Sequence, residues 1–167
     1  VYEYATIRDK AIISGEAKIY GKSKVFNIAW VRGKAEIYGR AMIYGKAYID
    51  GKVHIFDSAQ IFNANISGES YVFGYTKILS ESIIKGQAYI ESGRDYIAIS
   101  PIGSEDGVLT AFRDRHGKVV YVRGCFTGYA DDFIQQIDKT HGNSTHGKVY
   151  RLAIELIEER FNNKEGE

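Results

Sequence analysis

An aliphatic residue returns every six positions through the first half of this 167-residue chain, at Ile7, Ile13, Ile19, Val25, Val31, Ile37, Ile43, Ile49, Ile55 and Ile61. After one five-residue step the series resumes at Ile66, Val72, Ile78, Ile84 and Ile90. Two further series keep phase with it. Two positions on stands a turn-former: Asp9, Gly15, Gly21, Asn27, Gly33, Gly39, Gly45, Gly51, Asp57, Asn63, Gly68, Gly74, Ser80 and Gly86, most of them residues that tolerate positive φ. Four positions on stands a small or short residue: Ala11, Ala17, Ser23, Ala29, Ala35, Ala41, Ala47, Val53, Ala59, Asn65, Ser70, Thr76, Ser82 and Ala88. A six-residue period describes a short strand with an inward β-branched residue, a corner, and a narrow interior that admits only a small side chain at the next entry. Three such sides close one coil of about 18 residues, and coils stack at roughly 4.8 Å. The expectation is a β-helix of about five coils, roughly 24 Å tall on that spacing. It runs from about Ile7 to about Glu91, within a domain spanning 1–93.

Composition agrees with such an array. There are 18 glycines but one proline, and proline removes ladder donors. The single cysteine, Cys125, forbids an intramolecular disulfide and fits a reducing compartment. No apolar run has the length of a membrane span and no signal peptide is visible, so the expected location is the cytoplasm, with no membrane partner. Net charge is +1, which does not mark a bulk nucleic-acid binder, and nucleic acid is not expected as a partner. The charge is uneven, however: between Lys10 and Lys52 nine basic residues face only Glu16, Glu36 and Asp50, a basic pole that favours an anionic partner.

Strand alternation turns the neighbours of each aliphatic outward. Sorting by 18 places Arg8, Phe26, Tyr44, Phe62 and Leu79 in one column, Ile12, Trp30, Tyr48, Asn65 and Ile83 in a second, and Tyr20, Tyr38, Phe56 and Phe73 in a third. Phe26, Ile28, Trp30, Tyr44, Tyr48 and Phe62 thus line one edge of the prism. So much outward apolar surface needs a cover or a partner: a stacked ladder, the C-terminal segment, a ligand, or a second copy. The edge is the expected interface of a homo-oligomer.

The runs Ile13-Ser-Gly-Glu-Ala-Lys18, Ile37-Tyr-Gly-Arg-Ala-Met42 and Ile43-Tyr-Gly-Lys-Ala-Tyr48 resemble the bacterial hexapeptide-repeat, left-handed β-helix family. The resemblance implies the left hand and a trimer. It also implies one of two functions, since many members are acyl- or acetyltransferases using acyl-CoA and others are binding or structural proteins. His54 is the only histidine in the repeat. No loop interrupts the hexads to supply the family's catalytic surroundings, so the family's general-base role is not carried over to it, and no catalytic residue is assigned.

The hexad rhythm stops near Ser92-Gly93-Arg94. Beyond it, Asp95–Ser100, Val108–Arg113 and Lys118–Gly124 read as strands, with His116-Gly117 as a hairpin turn. A helix is expected from Thr127 or Gly128 to about Lys139, with Tyr129, Phe133 and Ile137 on one face. A second is expected from about Lys148 to Phe161, with Val149, Leu152, Ala153, Leu156 and Ile157 as its stripe, before a polar tail. This β-β-β-α-α module, 94–167, is expected to cap the last coil. Its runs Ser100-Pro-Ile-Gly-Ser104, Gly124-Cys-Phe-Thr-Gly128 and Thr140-His-Gly…His-Gly147 resemble a small domain of uncharacterised phage and mobile-element proteins.

Arg113, Arg115, His116, Lys118 and Arg123 cluster about the hairpin, and with the turns at Gly103, Gly124 and Gly128 they suit a phosphate. His141 and His146 offer two ligands where a metal site needs three or four, so a hydrogen-bonding role is expected and no metal or cofactor. Cys125, between Gly124 and Phe126, is expected to be a buried small hydrophobe. The candidate ligand-binding residues are Arg32, Lys46, Ser104, Arg113, Arg115, Arg123, His141 and His146. The expected function is non-enzymatic binding, phage-type, acting against host defence by sequestering an anionic nucleotide signal or a host protein. A hexapeptide-repeat acyltransferase is the alternative.

Overall fold

A computed structural model describes residues 1–79 and 81–162; Ser80 of the turn series and the tail 163–167 lie outside it. Fifteen short strands follow one another: β1 (Thr6–Ile7), β2 (Ile12–Ile13), β3 (Lys18–Ile19), β4 (Lys24–Val25), β5 (Trp30–Val31), β6 (Glu36–Ile37), β7 (Met42–Tyr44), β8 (Tyr48–Gly51), β9 (His54–Ile55), β10 (Gln60–Phe62), β11 (Asn65–Gly68), β12 (Tyr71–Val72), β13 (Lys77–Ile78), β14 (Ile83–Ile84) and β15 (Tyr89–Ile90). Every third strand pairs in parallel, giving three five-stranded sheets that begin with β1, β2 and β3. The chain is a five-turn parallel β-helix over this stretch.

The three sequence series account for it. Thirteen of the inward aliphatics, from Ile19 to Ile90, are fully buried, whereas Ile7 and Ile13 of the first coil are partly buried. The described turn-formers from Asp9 to Gly86 all have positive φ. At Gly51 (φ 94°) an added Cβ would also meet the Gly68 carbonyl oxygen of the next coil at 2.6 Å, so stacking as well as dihedral angle demands glycine there. Where serine replaces alanine in the small series its hydroxyl is satisfied locally: Ser23 donates to the Tyr20 carbonyl at 2.7 Å and Ser70 to that of Ser67 at 2.8 Å.

The five-residue step is absorbed at one corner. Thr6 N–H donates to the Ser23 carbonyl, 17 residues on, but Tyr48 N–H donates to that of Ala64, 16 residues on; the longer offset returns at Asn65 and Ser82. Ala64, fully buried, therefore takes the inward small position. Asn65, counted both in the small series and in the outward column of Trp30 and Tyr48, is exposed on β11 and takes the outward place.

Four strands, not three, follow the coils: β16 (Tyr96–Ile102), β17 (Gly107–Arg113), β18 (Val119–Arg123) and β19 (Phe126–Gly128), antiparallel in that order. β19 has only three residues, too few for alternation to reveal. Two helices close the chain, α1 (Ala130–His141) and α2 (Thr145–Asn162). The sheet lies between two cores. Phe112 and Val122 point into the core of the coils, while Leu109, Ala111 and Tyr121 point to the helices. α2 buries Tyr150, Ala153, Ile154, Ile157 and Phe161. Val149, Leu152 and Leu156, expected inside, are exposed. Both stripes have helical spacing; Tyr150, bonded to Arg123 of the sheet, and Phe161, lying under Arg113, decide the rotation.

The module caps the last coil as expected. Ala88 and Asp114 form a β-bridge, Arg115 N–H donates to the Gln87 carbonyl at 2.9 Å, and Ile83 N–H donates to Thr110 Oγ1 at 3.2 Å. Tyr96 reaches under the coils: its hydroxyl lies 2.5 Å from that of Ser82 and donates to the Leu79 carbonyl. These contacts occupy backbone groups that the last coil would otherwise leave open. No helix of the described residues is long and apolar enough to cross a membrane.

Candidate functional site

A cavity of about 240 Å³ opens between the β18–β19 turn, the β16–β17 turn and the C-terminal end of α1. Its floor is aromatic. Phe126 and Phe133 have ring centroids 4.9 Å apart, and Tyr150 meets Phe133 edge-on at 5.8 Å. His141, in the last turn of α1, stacks on Tyr150 at 5.4 Å. Ser104, Glu105, Cys125, Gln136 and Thr140 supply polar groups at the walls.

Arg123 is the charged centre of the cavity. Its Nε donates to the Tyr150 hydroxyl at 2.9 Å and its Nη2 to the Ile102 carbonyl at 3.1 Å. Two glycines make this pose possible. A Cβ on Gly107 would lie 2.6 to 2.8 Å from the guanidinium, and one on Gly103 (φ 80°) would collide with the Tyr150 hydroxyl. Among the described residues no carboxylate stands within 4.0 Å of Arg123. A guanidinium has five N–H donors, so the two bonds leave the rest for a ligand. The cation is held in place by neutral partners, and Glu105, which also lines the cavity, makes no ion pair with it.

Of the eight residues put forward from sequence, Ser104, Arg123 and His141 meet in this cavity. His146 lies beside it, its ring 6.1 Å from that of His141. Arg113 and Arg115 hold the fold together. Arg113 pairs with Asp95 at 3.5 Å and donates to the Gly117 and Phe161 carbonyls, and Arg115 reaches Glu69 of the coils at 3.4 Å. Arg32 and Lys46 sit on the coils, apart from the cavity; Arg32 pairs with Asp50 at 3.2 Å, and Lys46 is exposed at a corner. Cys125, expected inside, is an exposed free thiol at the cavity wall. Its position in a two-residue turn between β18 and β19, with Gly124 at φ 58°, lifts it out of the sheet.

Sequence reasoning missed Tyr150, Phe126, Gln136 and Thr140. Phe133 and Ile137 were visible as a helical stripe, but nothing local marks Tyr150 as the partner of an arginine 27 residues away. Among the described residues no three His, Cys, Asp or Glu side chains group closely enough to hold a metal ion.

Two other regions carry ordered polar chemistry. On the third sheet, Glu36 accepts from Lys18 Nζ at 2.9 Å and faces His54 Nδ1 at 3.7 Å. The Lys18 hydrogen bond, joined by its charge and that of His54, outweighs partial burial and holds the Glu36 carboxyl below the usual carboxylate range. A wider cavity, about 570 Å³, lies between the β17–β18 hairpin, the start of α1 and the end of α2. Burial, with Glu158 nearby, pushes the Tyr121 hydroxyl at its wall well above its ordinary pKa.

The aromatic edge is an ordered stack that the module leaves uncovered. Phe26 and Tyr44 stack at 5.1 Å and Tyr44 and Phe62 meet at 5.0 Å, while Ile28 and Trp30 remain 44% and 46% exposed. No family model, curated protein or solved structure matches the chain.

Proposed function

We propose that this chain is a non-enzymatic binding protein that sequesters a small anionic, nucleotide-like ligand in the Arg123 cavity. The observation that carries the reading is Arg123 itself, fixed by Tyr150 and Ile102 and lacking a carboxylate partner among the described residues. A preorganised guanidinium beside aromatic rings matches a phosphate linked to a planar base: the ring packs on Phe126 or Tyr150 and the anion takes the remaining N–H donors. A cavity of about 240 Å³ takes one base or one phosphoryl group, with the remainder of the ligand across its open mouth. In the phage setting implied by the C-terminal sequence runs, such binding would remove a host signal.

Melting-temperature shifts test this. Binding to the folded state raises stability by RT ln(1 + [L]/Kd), about 2.7 kcal/mol at a hundredfold excess over Kd. Cyclic and ADP-ribose-type nucleotides should raise the midpoint of the wild type without being consumed, and Arg123→Gln should abolish the shift. A shift with acetyl-CoA alone, with acetyl transfer lost in His54→Ala, would replace this reading by the acyltransferase one.

A further inference from the structure

Among the described residues two buried side-chain hydroxyls lack a hydrogen-bond partner, those of Thr76 and Tyr121. Thr76 holds an inward small position within the coils. Tyr121 differs, because it lines the cavity of about 570 Å³ between the β17–β18 hairpin, the start of α1 and the end of α2. Strand alternation on β18 turns Val122 to the coils and Tyr121 to the helices. The Tyr121 ring is 1% exposed and stacks on Phe133 at 5.7 Å, so its hydroxyl cannot swing out to water. Leaving a buried hydroxyl unpaired is unfavourable, and one placed at a cavity wall is available to whatever fills the cavity.

Glu158 of α2 lines the same cavity. Burial first, and the Glu158 charge second, keep the phenol protonated, so it stands as a donor. The carboxylate is near enough to act on it but is not its hydrogen-bond partner. Farther out, exposed Lys118 and Asp131 repeat the combination of a donor and a carboxylate, and neither has an ion pair among the described residues. Arg113, the other cation of the wall, is already engaged by Asp95 and by the Gly117 and Phe161 carbonyls.

A donor and a carboxylate that share a space without touching are both satisfied by one group that accepts from the first and donates to the second. An ammonium cannot accept from the phenol. A phosphate cannot donate to the carboxylate and is repelled by it. A hydroxyl does both. Val119 and Phe161 add apolar wall suited to the C–H face of a sugar ring. We propose that this cavity is a second binding site, separate from that of Arg123, and that it takes a neutral polyhydroxylated ligand, a monosaccharide or the ribose of a nucleoside, with one hydroxyl bridging Tyr121 and Glu158. The site does not depend on what the Arg123 cavity holds.

The test is saturation-transfer NMR of the full chain with D-ribose, D-glucose and adenosine at millimolar concentration. Tetrahydropyran, a ring that accepts hydrogen bonds but donates none, is the control. At least one of the three should bind and tetrahydropyran should not. Binding of ribose or glucose identifies a free sugar, and binding of adenosine alone identifies a nucleoside. Affinity for the ligand that binds should fall about fivefold in Tyr121→Phe and about tenfold or more in Glu158→Ala. Tyr121→Phe should not lower the melting midpoint, whereas losing a hydrogen bond already made in the free protein, to a trapped water included, would lower it by roughly 2–4 °C. Silence from all three ligands overturns the proposal, as does tetrahydropyran binding equally well or a midpoint that falls in Tyr121→Phe. Binding kept in Tyr121→Phe and lost in Arg123→Gln would place the ligand in the other cavity and overturn it too.

Discussion

The coils and the module solve the same problem, burying apolar surface beside hydrogen-bonded backbone, with different kinds of information. In the coils each position repeats its neighbour one turn away: Val25 lies on Ile43, Ile43 on Ile61, Gly33 on Gly51. In the module each contact is made once. Phe112 and Val122 enter the coil core at a single place, and Arg123 meets Tyr150 in a contact nothing repeats. Repetition yields a rigid prism with flat sides. Singular contacts yield turns, a cavity and an arginine without an ion pair among the described residues, which are features a ligand can use.

The largest effect should come from the seam between these regions. Phe112 is fully buried under the last coil, and Phe112→Ala should cost about 3–5 kcal/mol. If coils and module form one cooperative unit, a single melting transition moves down. Two transitions with the coil one unmoved would show the seam to be incidental. Inside the coils, Ile55→Ala should cost about 3 kcal/mol and Ile55→Val about 1 kcal/mol, both read from denaturant midpoints. A cost below about 1 kcal/mol for Ile55→Ala would mean that coils slip past a defect instead of locking on it.

That difference in information also governs what the sequence discloses. Strand positions, corners and outward columns of the coils follow from three coincident series, because the same stereochemical demand recurs at every turn. Asn65, which the count assigns both to the small series and to an outward column, is where the period itself breaks, and the outward column is the assignment that holds. In the module the three longer strands and both helices are legible to within a few residues. β19 is not, nor is the rotation of α2, since Leu152 and Leu156 satisfy helical spacing as well as Tyr150 and Ile154 do. Arg123 could be suspected from its glycine-rich surroundings. Its engagement with Tyr150 could not, because the pairing depends on a helix packing across the sheet.

A smaller effect should follow from Gly103→Ala. The residue has φ 80°, and its added methyl would strike the Tyr150 hydroxyl, so the change should cost about 1–3 kcal/mol and loosen Arg123. Melting together with nucleotide binding checks both parts; unaltered binding would show that the Tyr150 contact does not position the arginine.

The smallest effect concerns the exposed Glu69, whose carboxyl is held below its usual pKa by its hydrogen bond and charge contact with Lys52, helped by Arg115. A depressed carboxyl contributes stability above its unfolded pKa and loses it as pH falls through the folded value. Wild type should therefore lose slightly more melting temperature than Glu69→Gln between pH 6 and pH 3. Equal losses would mean that the contacts of Glu69 with Lys52 and Arg115 are not felt in solution.

The division of labour between scaffold and site is tested most directly by calorimetric titration of three proteins with the nucleotide that gives the largest melting shift. Wild type is compared with Arg123→Gln and with Arg32→Gln plus Lys46→Gln. Charge-assisted hydrogen bonds contribute about 1.5–3 kcal/mol, so the module variant should bind roughly 10- to 150-fold more weakly while the coil variant matches wild type. Binding that survives in Arg123→Gln and disappears in the coil variant would contradict the account and move the site onto the prism.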